Sequence, residues 1–247
     1  MRARLQLFAT SIAAALAVGA AVVAHAPAPR STRTTIVSGD GTVAAETRLS
    51  LRRGDRKRAR AEIRKRIEEG SEGTYITDIL ADHDSSLARW PERLARPISV
   101  WVQPYSTVRG WRPAYVHLAR EAFDDWKATG IPLDFRFVDD SAKAEVHLAW
   151  IDRFKEPISG RTLWARDDDW WILDGSIAIA MHHRSGEALD AAAIKAITLH
   201  EVGHLIGLDH TRDPATIMTP RVRVRSLTIQ DKATARLLYT LPAGAVR

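Results

Sequence analysis

The run His200-Glu201-Val202-Gly203-His204-Leu205-Ile206-Gly207-Leu208-Asp209-His210 sets three imidazoles and one carboxylate at spacings suited to a single metal centre. On an α-helix, residues four apart lie about 40° apart around the axis and about 6 Å along it, so His200 and His204 can present nitrogen to one point. Gly207 accepts the positive φ that a helix exit needs, and the chain can then swing His210 back toward the same ion. Chance would produce the whole pattern in about 1 in 10,000 chains of this composition, so coincidence is not a competitive explanation.

Three neutral histidines form the protein share of a catalytic zinc site, with a fourth position left for water, whose pKa falls to about 7 on the metal. Glu201, next to His200, is placed to take a proton from that water without itself binding the metal. The spacing therefore points to a hydrolase. A zinc-containing binding protein that has lost turnover is the rival reading, and the presence of a general base argues against it.

These residues need a helix, and Asp190 can cap one running from Ala191 to Ile206. Upstream, Pro97 to Val102 alternates as a first strand. Pro113 opens a helix whose Tyr115, Leu118, Ala119, Ala122, Phe123 and Trp126 share a face before Gly130 ends it. Leu133 to Val138, Ala144 to Trp150, Gly160 to Arg166 and Gly175 to Met181 read as four more strands. Thr228 with Asp231 starts a final helix reaching Tyr239. The fold expected is α+β, a twisted mixed five-stranded sheet packed with the active-site helix and the C-terminal helix.

The chain has 247 residues, a net charge of +6 and no cysteine, so it must stand without disulfides. Arg2 and Arg4 precede an apolar, alanine-rich run from Leu5 to Val23, the pattern of a secretory signal peptide cleaved after Ala24, with an uncleaved anchor as the alternative. A secreted or cell-envelope location follows as the expectation. The basicity is confined to the N-terminal part: Pro27 to Gly70 holds 12 Arg/Lys against 6 Asp/Glu, whereas Ser71 onward holds 22 against 24. A near-neutral folded part gives no footprint for specific nucleic-acid binding, and membrane contact is expected only through the N-terminal segment. Residues 1–24 are thus read as the signal, 25–70 as a basic, partly disordered arm with a solvated helix at Asp55 to Glu69, 71–96 as an extension of the domain, and 97–247 as the catalytic domain.

With Thr216-Ile217-Met218-Thr219-Pro220 following His210, the sequence resembles the metzincin zinc peptidases and, among them, the matrixins. The resemblance covers about Pro97 to Leu241, including Ala144 to Trp150 and Leu227 to Asp231. It implies a metalloendopeptidase acting on extended protein or peptide substrates, with His200, His204 and His210 on the zinc, Glu201 catalytic and Met218 in a Met-turn beneath the metal. It further implies that a substrate lies along the edge strand at Leu163, Trp164 and Ala165, and that Pro220 and Val222 wall the main specificity pocket. The histidine-aspartate pattern of a structural zinc is missing between Ile151 and Gly175, and His147, His182 and His183 are read as hydrogen-bonded or exposed side chains. Asp167-Asp168-Asp169 offers oxygens to calcium, yet such a run is more often solvated, and calcium stays undecided. With no cysteine to block the zinc, any latency device is of another kind. Asp82, His83 and Asp84 are read by default as surface polar residues.

Overall fold

A computed structural model describes residue 58, residues 60–82 and residues 86–245. The signal-peptide reading, most of the arm and the side chains of Asp82, His83 and Asp84 fall outside this description. Among the described residues no helix is long and apolar enough to cross a membrane.

The elements run α1 (60–70), α2 (Ile76–Asp82), β1 (Ser86–Leu87), β2 (Arg93–Val102), α3 (Ala114–Lys127), β3 (Leu133–Phe137), β4 (Val146–Ile151), β5 (Gly160–Arg166), β6 (Ile172–Ala180), α4 (Ala191–Leu205), α5 (Ile229–Thr240) and β7 (Gly244–Ala245). Five strands form one mixed sheet in the order β3-β2-β4-β6-β5, parallel except for β5, which runs antiparallel to β6. This is the expected α+β architecture. β1 and β7 add a two-stranded ribbon that the sequence did not suggest, being too short to show alternation.

Alternation in β4 sends Val146, Leu148 and Trp150 into the core. The apolar face of α3 meets it with Tyr115, Ala119, Ala122, Phe123 and Trp126. Phe123 sits edge-on to Phe135 at 5.1 Å and to Phe137 at 5.8 Å, which holds α3 over β3. α4 lies beside α3, joined where the Trp126 indole donates to the Leu199 carbonyl at 2.8 Å. Fully buried, side chains such as Trp126 and Phe123 each contribute roughly 2–3 kcal/mol of apolar transfer.

Most strand ends lie within two residues of the sequence reading, and the starts of β2 and β6 differ by more. β2 starts at Arg93, before Pro97, because the proline falls within a register shift between Arg93 and Ile98, where a missing N–H leaves no gap in the ladder. β6 starts at Ile172, and Gly175 lies inside it. A Cβ there would stand 2.5 Å from Leu205 Cδ1, so this glycine is a seat for α4 and not a strand end.

The helix expected at Asp55 to Glu69 is present over 60–70, but it is not wholly solvated. Ile63 and Ile67 pack against the core, and a Cβ on Gly70 would meet Leu237 Cδ1 of α5 at 2.8 Å. Residues 75 to 90 also supply core: Ile76, Ile79, Leu87 and Trp90 are fully buried.

Candidate active site

Ten of the fifteen residues of α4 are buried, including every one from Ala196 to Gly203, so the middle of the helix is covered all round. Its start is set by Asp190, which accepts from the Ala193 N–H at 2.6 Å. Its end is a Schellman turn. Leu208 N–H donates to Gly203 O and Gly207 N–H to His204 O, both at 3.0 Å, with Gly207 at φ 100. Two further orphan carbonyls of the last turn are met from outside the helix: the Trp90 indole donates to Leu205 O, and the Tyr239 hydroxyl to Ile206 O, each at 2.9 Å. Gly207 is needed for a second reason, because a Cβ would lie 2.0 Å from the Ala88 carbonyl oxygen.

The turn brings His210 back to the helix. The three Nε2 atoms are separated by 3.1 Å (His200–His204), 3.2 Å (His204–His210) and 3.3 Å (His200–His210). His200 Nδ1 lies 2.7 Å from Ile217 O and His204 Nδ1 3.0 Å from Leu208 O. A carbonyl can only accept, so both Nδ1 atoms carry the proton, and in the neutral rings both Nε2 atoms present lone pairs. Lone pairs facing each other at this distance call for a cation between them. A tetrahedral ion with zinc–nitrogen bonds of about 2.0–2.1 Å would space its ligands by roughly 3.3 Å, which the triad already matches. These three histidines are the one such metal-ligating group among the described residues.

Burial pushes His200 down to about 4 and lowers His204, whose neighbouring imidazoles add to the effect. Both are therefore neutral and ready to ligate at neutral pH. Asp209 Oδ1 lies 4.0 Å from Nδ1 of both His204 and His210. Burial raises the Glu201 carboxyl to about 7, against the opposing effects of the Thr162 hydroxyl and the Arg161 charge. That places Glu201 in the range useful to a base at neutral pH.

Met218 is fully buried beneath this helix. A Cβ on Gly203 would fall 2.3 Å from its sulfur, so the glycine inside the histidine motif is the notch into which Met218 packs. The loop bearing Met218 is tied to α5 through Asp231. This buried carboxylate accepts from Ile217 N at 3.1 Å, Thr228 N at 2.8 Å, the Thr228 hydroxyl at 2.7 Å and the Tyr75 hydroxyl at 3.1 Å. Ile217 thus gives its N–H to Asp231 and its carbonyl to His200, linking the C-terminal helix to the histidine triad.

Beside His210 opens a cavity of about 530 Å³, lined by Asp78, Ala81, Thr211, Arg212, Thr219 and Pro220. α2 forms one wall, fastened where Asp78 accepts from the Thr211 hydroxyl at 3.0 Å. Pro220 faces this cavity. Val222 is not among its lining residues and packs instead, half-buried, against the core. β5 is the sheet edge, with Leu163 57% exposed and Ala165 exposed, so part of that edge is open to a partner; Trp164 turns partly inward.

The remaining candidate ligands have other partners. His147 stands 2.9 Å from Ser141 O, His182 Nδ1 lies 2.9 Å from Asp152 Oδ1, and His183 lies 3.5 Å from the Ser159 hydroxyl. Asp167 Oδ1 accepts from Asp169 N and Trp171 N, closing the β5–β6 turn. Thr162, Trp90, Tyr75 and Asp231 carry no local sequence mark of the site, because their contacts with the triad-bearing helix and the Met218 loop join separate elements of the chain.

A family model described as Matrixin matches residues 100–240, more than half of the chain. The chain belongs to the matrixin family. It is also similar to Metalloendoproteinase 1-MMP of Arabidopsis thaliana, 27% identical over 141 residues that cover 49% of this chain and 36% of that protein. The chain thus spans little more than a third of that relative's length. Matrixins are zinc peptidases, and this matrixin carries a histidine triad whose donor atoms fit such an ion.

Proposed function

We propose that this matrixin is a zinc-dependent endopeptidase that hydrolyses peptide bonds in extended protein segments. The observation that carries the reading is the triad: three Nε2 atoms within 3.3 Å of one another, at least two with the proton held on the far nitrogen, next to a buried carboxylate. His200, His204 and His210 would hold the zinc. When bound, it supplies a Lewis acid for the scissile carbonyl and lowers the pKa of water.

Glu201 takes the proton from the attacking water and returns it to the departing amine. Its burial favours the neutral acid after the first transfer, so the carboxyl can act in both directions near pH 7. The exposed edge of β5 supports recognition of an extended peptide through main-chain hydrogen bonds. Pro220 and the cavity beside His210 offer space for a side chain next to the scissile bond.

Purified protein should carry one zinc per chain by elemental analysis and cleave peptides in a mixed library. Glu201→Ala should keep the zinc and lose at least about 100-fold in kcat. Equal library digestion by wild type and Glu201→Ala, or full zinc with no cleavage by either, would sink the proposal and favour a binding protein.

A further inference from the structure

The edge strand β5 meets the active-site helix at Glu201. Residues 160, 162 and 164 are half-buried on the inward side, and 161 and 163 face solvent. Thr162 Oγ1 lies 2.7 Å from Glu201 Oε2 and 2.9 Å from the carbonyl oxygen of the same residue. The hydroxyl has one proton, and both acceptors within its reach belong to Glu201. Two residues earlier, a Cβ on Gly160 would stand 2.2 Å from Glu201 Oε1 and 2.6 Å from its Cγ. One position of the strand thus makes room for the carboxylate and the next inward position grips it.

Nothing in the metal-binding pattern asks for a hydroxyl at residue 162. Neither residue lies in the helix or the Met218 loop. Glu201 is only 4% exposed, so an untethered carboxylate would be left with little water to satisfy it. Among the described residues, Thr162 is the side chain that donates to it.

We propose that Thr162 is the positioning residue for Glu201. It holds Oε2 and fixes the rotamer, so that Oε1, lying over the bare Cα of Gly160, is the oxygen left to take the proton. This role rests on the endopeptidase reading given above. It also couples the strand proposed to bind substrate to the base, because Thr162 lies between Arg161 and Leu163 on that strand.

The test compares zinc-loaded full-length wild type, Thr162→Val and Thr162→Ser. Valine matches threonine in shape and lacks the donor; serine keeps the donor. Thr162→Val is expected to retain stoichiometric zinc and a cooperative melt, to lose about tenfold or more in kcat with little change in KM, and to be rescued within about threefold by serine. A second readout does not depend on turnover. The Glu201 carboxyl band in the infrared, assigned by difference from Glu201→Gln, should shift in Thr162→Val and stay in place in Thr162→Ser. With an active wild type, unchanged kcat in Thr162→Val, or equal losses in both variants, overturns the role of Thr162 and leaves the endopeptidase reading standing. A zinc-loaded wild type that cleaves nothing defeats the endopeptidase reading and the catalytic role together. The infrared comparison then still decides the contact, an unmoved band in Thr162→Val overturning it.

Discussion

His200 and His204 are held neutral by burial, and this gives the metal-free protein a definite pH dependence. Below the ordinary imidazole value of 6.5 the unfolded chain binds protons that the fold refuses, so their stabilising contribution is present above 6.5 and lost as pH falls toward about 4. Glu201 acts oppositely. Its carboxyl is raised from 4.5 to about 7, so its contribution is present below 4.5 and lost as pH rises through 7. Two histidines oppose one carboxyl between these limits. The melting temperature of chelator-treated protein is therefore expected to fall from pH 6.5 to pH 4.5 in calorimetry, and Glu201→Gln should flatten the separate decline between pH 6 and 8. A rise toward pH 4.5 would contradict this account. Gly203→Ala is a second test at this scale: the new Cβ must displace the Met218 sulfur, at a cost of about 1–3 kcal/mol in urea denaturation. Adding Met218→Ala should recover part of that loss, since the two changes compete for one space.

The helix that carries the histidine triad depends on other elements for both its end and the placing of its imidazoles. Asp231 begins α5 through a reciprocal cap with Thr228 and also holds the Ile217 N–H, whose residue accepts from His200. Asp231→Ala leaves several donors without a partner at once and should cost about 2–4 kcal/mol, with zinc affinity falling about tenfold or more as His200 loses its orientation. Competition with a fluorescent chelator measures the second effect. Asp231→Asn, able to accept at one oxygen, should lose less in both. Trp90→Phe removes the donor to Leu205 O and also leaves a void where the larger indole is fully buried, and should cost about 2–4 kcal/mol with the histidines unmoved. The β2 and β6 boundaries likewise depend on neighbouring elements. A proline and a glycine read locally as breaks, whereas neighbouring chain turned one into a bulge and the other into a contact.

Across the molecule, residues 75–82 and 86–90 supply part of the core and of the cavity wall beside His210. Ile76, Ile79, Leu87 and Trp90 are fully buried, and Asp78 and Ala81 line the cavity beside His210. A chain cut to begin at Pro97 should fail to show a cooperative urea transition; an intact transition would mean that those residues only cover a self-sufficient domain. Spacing and pattern along the chain pick out the three clustered histidines, the carboxylate beside them, the capped helix carrying them, the glycine exit and most strands. Those features follow from spacing within one turn, from alternation, or from a cap a few residues away, so they are written in short stretches. Folding alone brings Thr162 to Glu201, seats Met218 on Gly203, closes the helix end with Trp90 and Tyr239, and braces His200 from Asp231 through Ile217. Each of these joins residues from 14 to more than 100 positions apart. A hydroxyl, an indole or a glycine carries no local mark of the partner that folding brings to it, and burial then makes that partner obligatory because an unmatched polar group or a colliding atom has no solvent to retreat into.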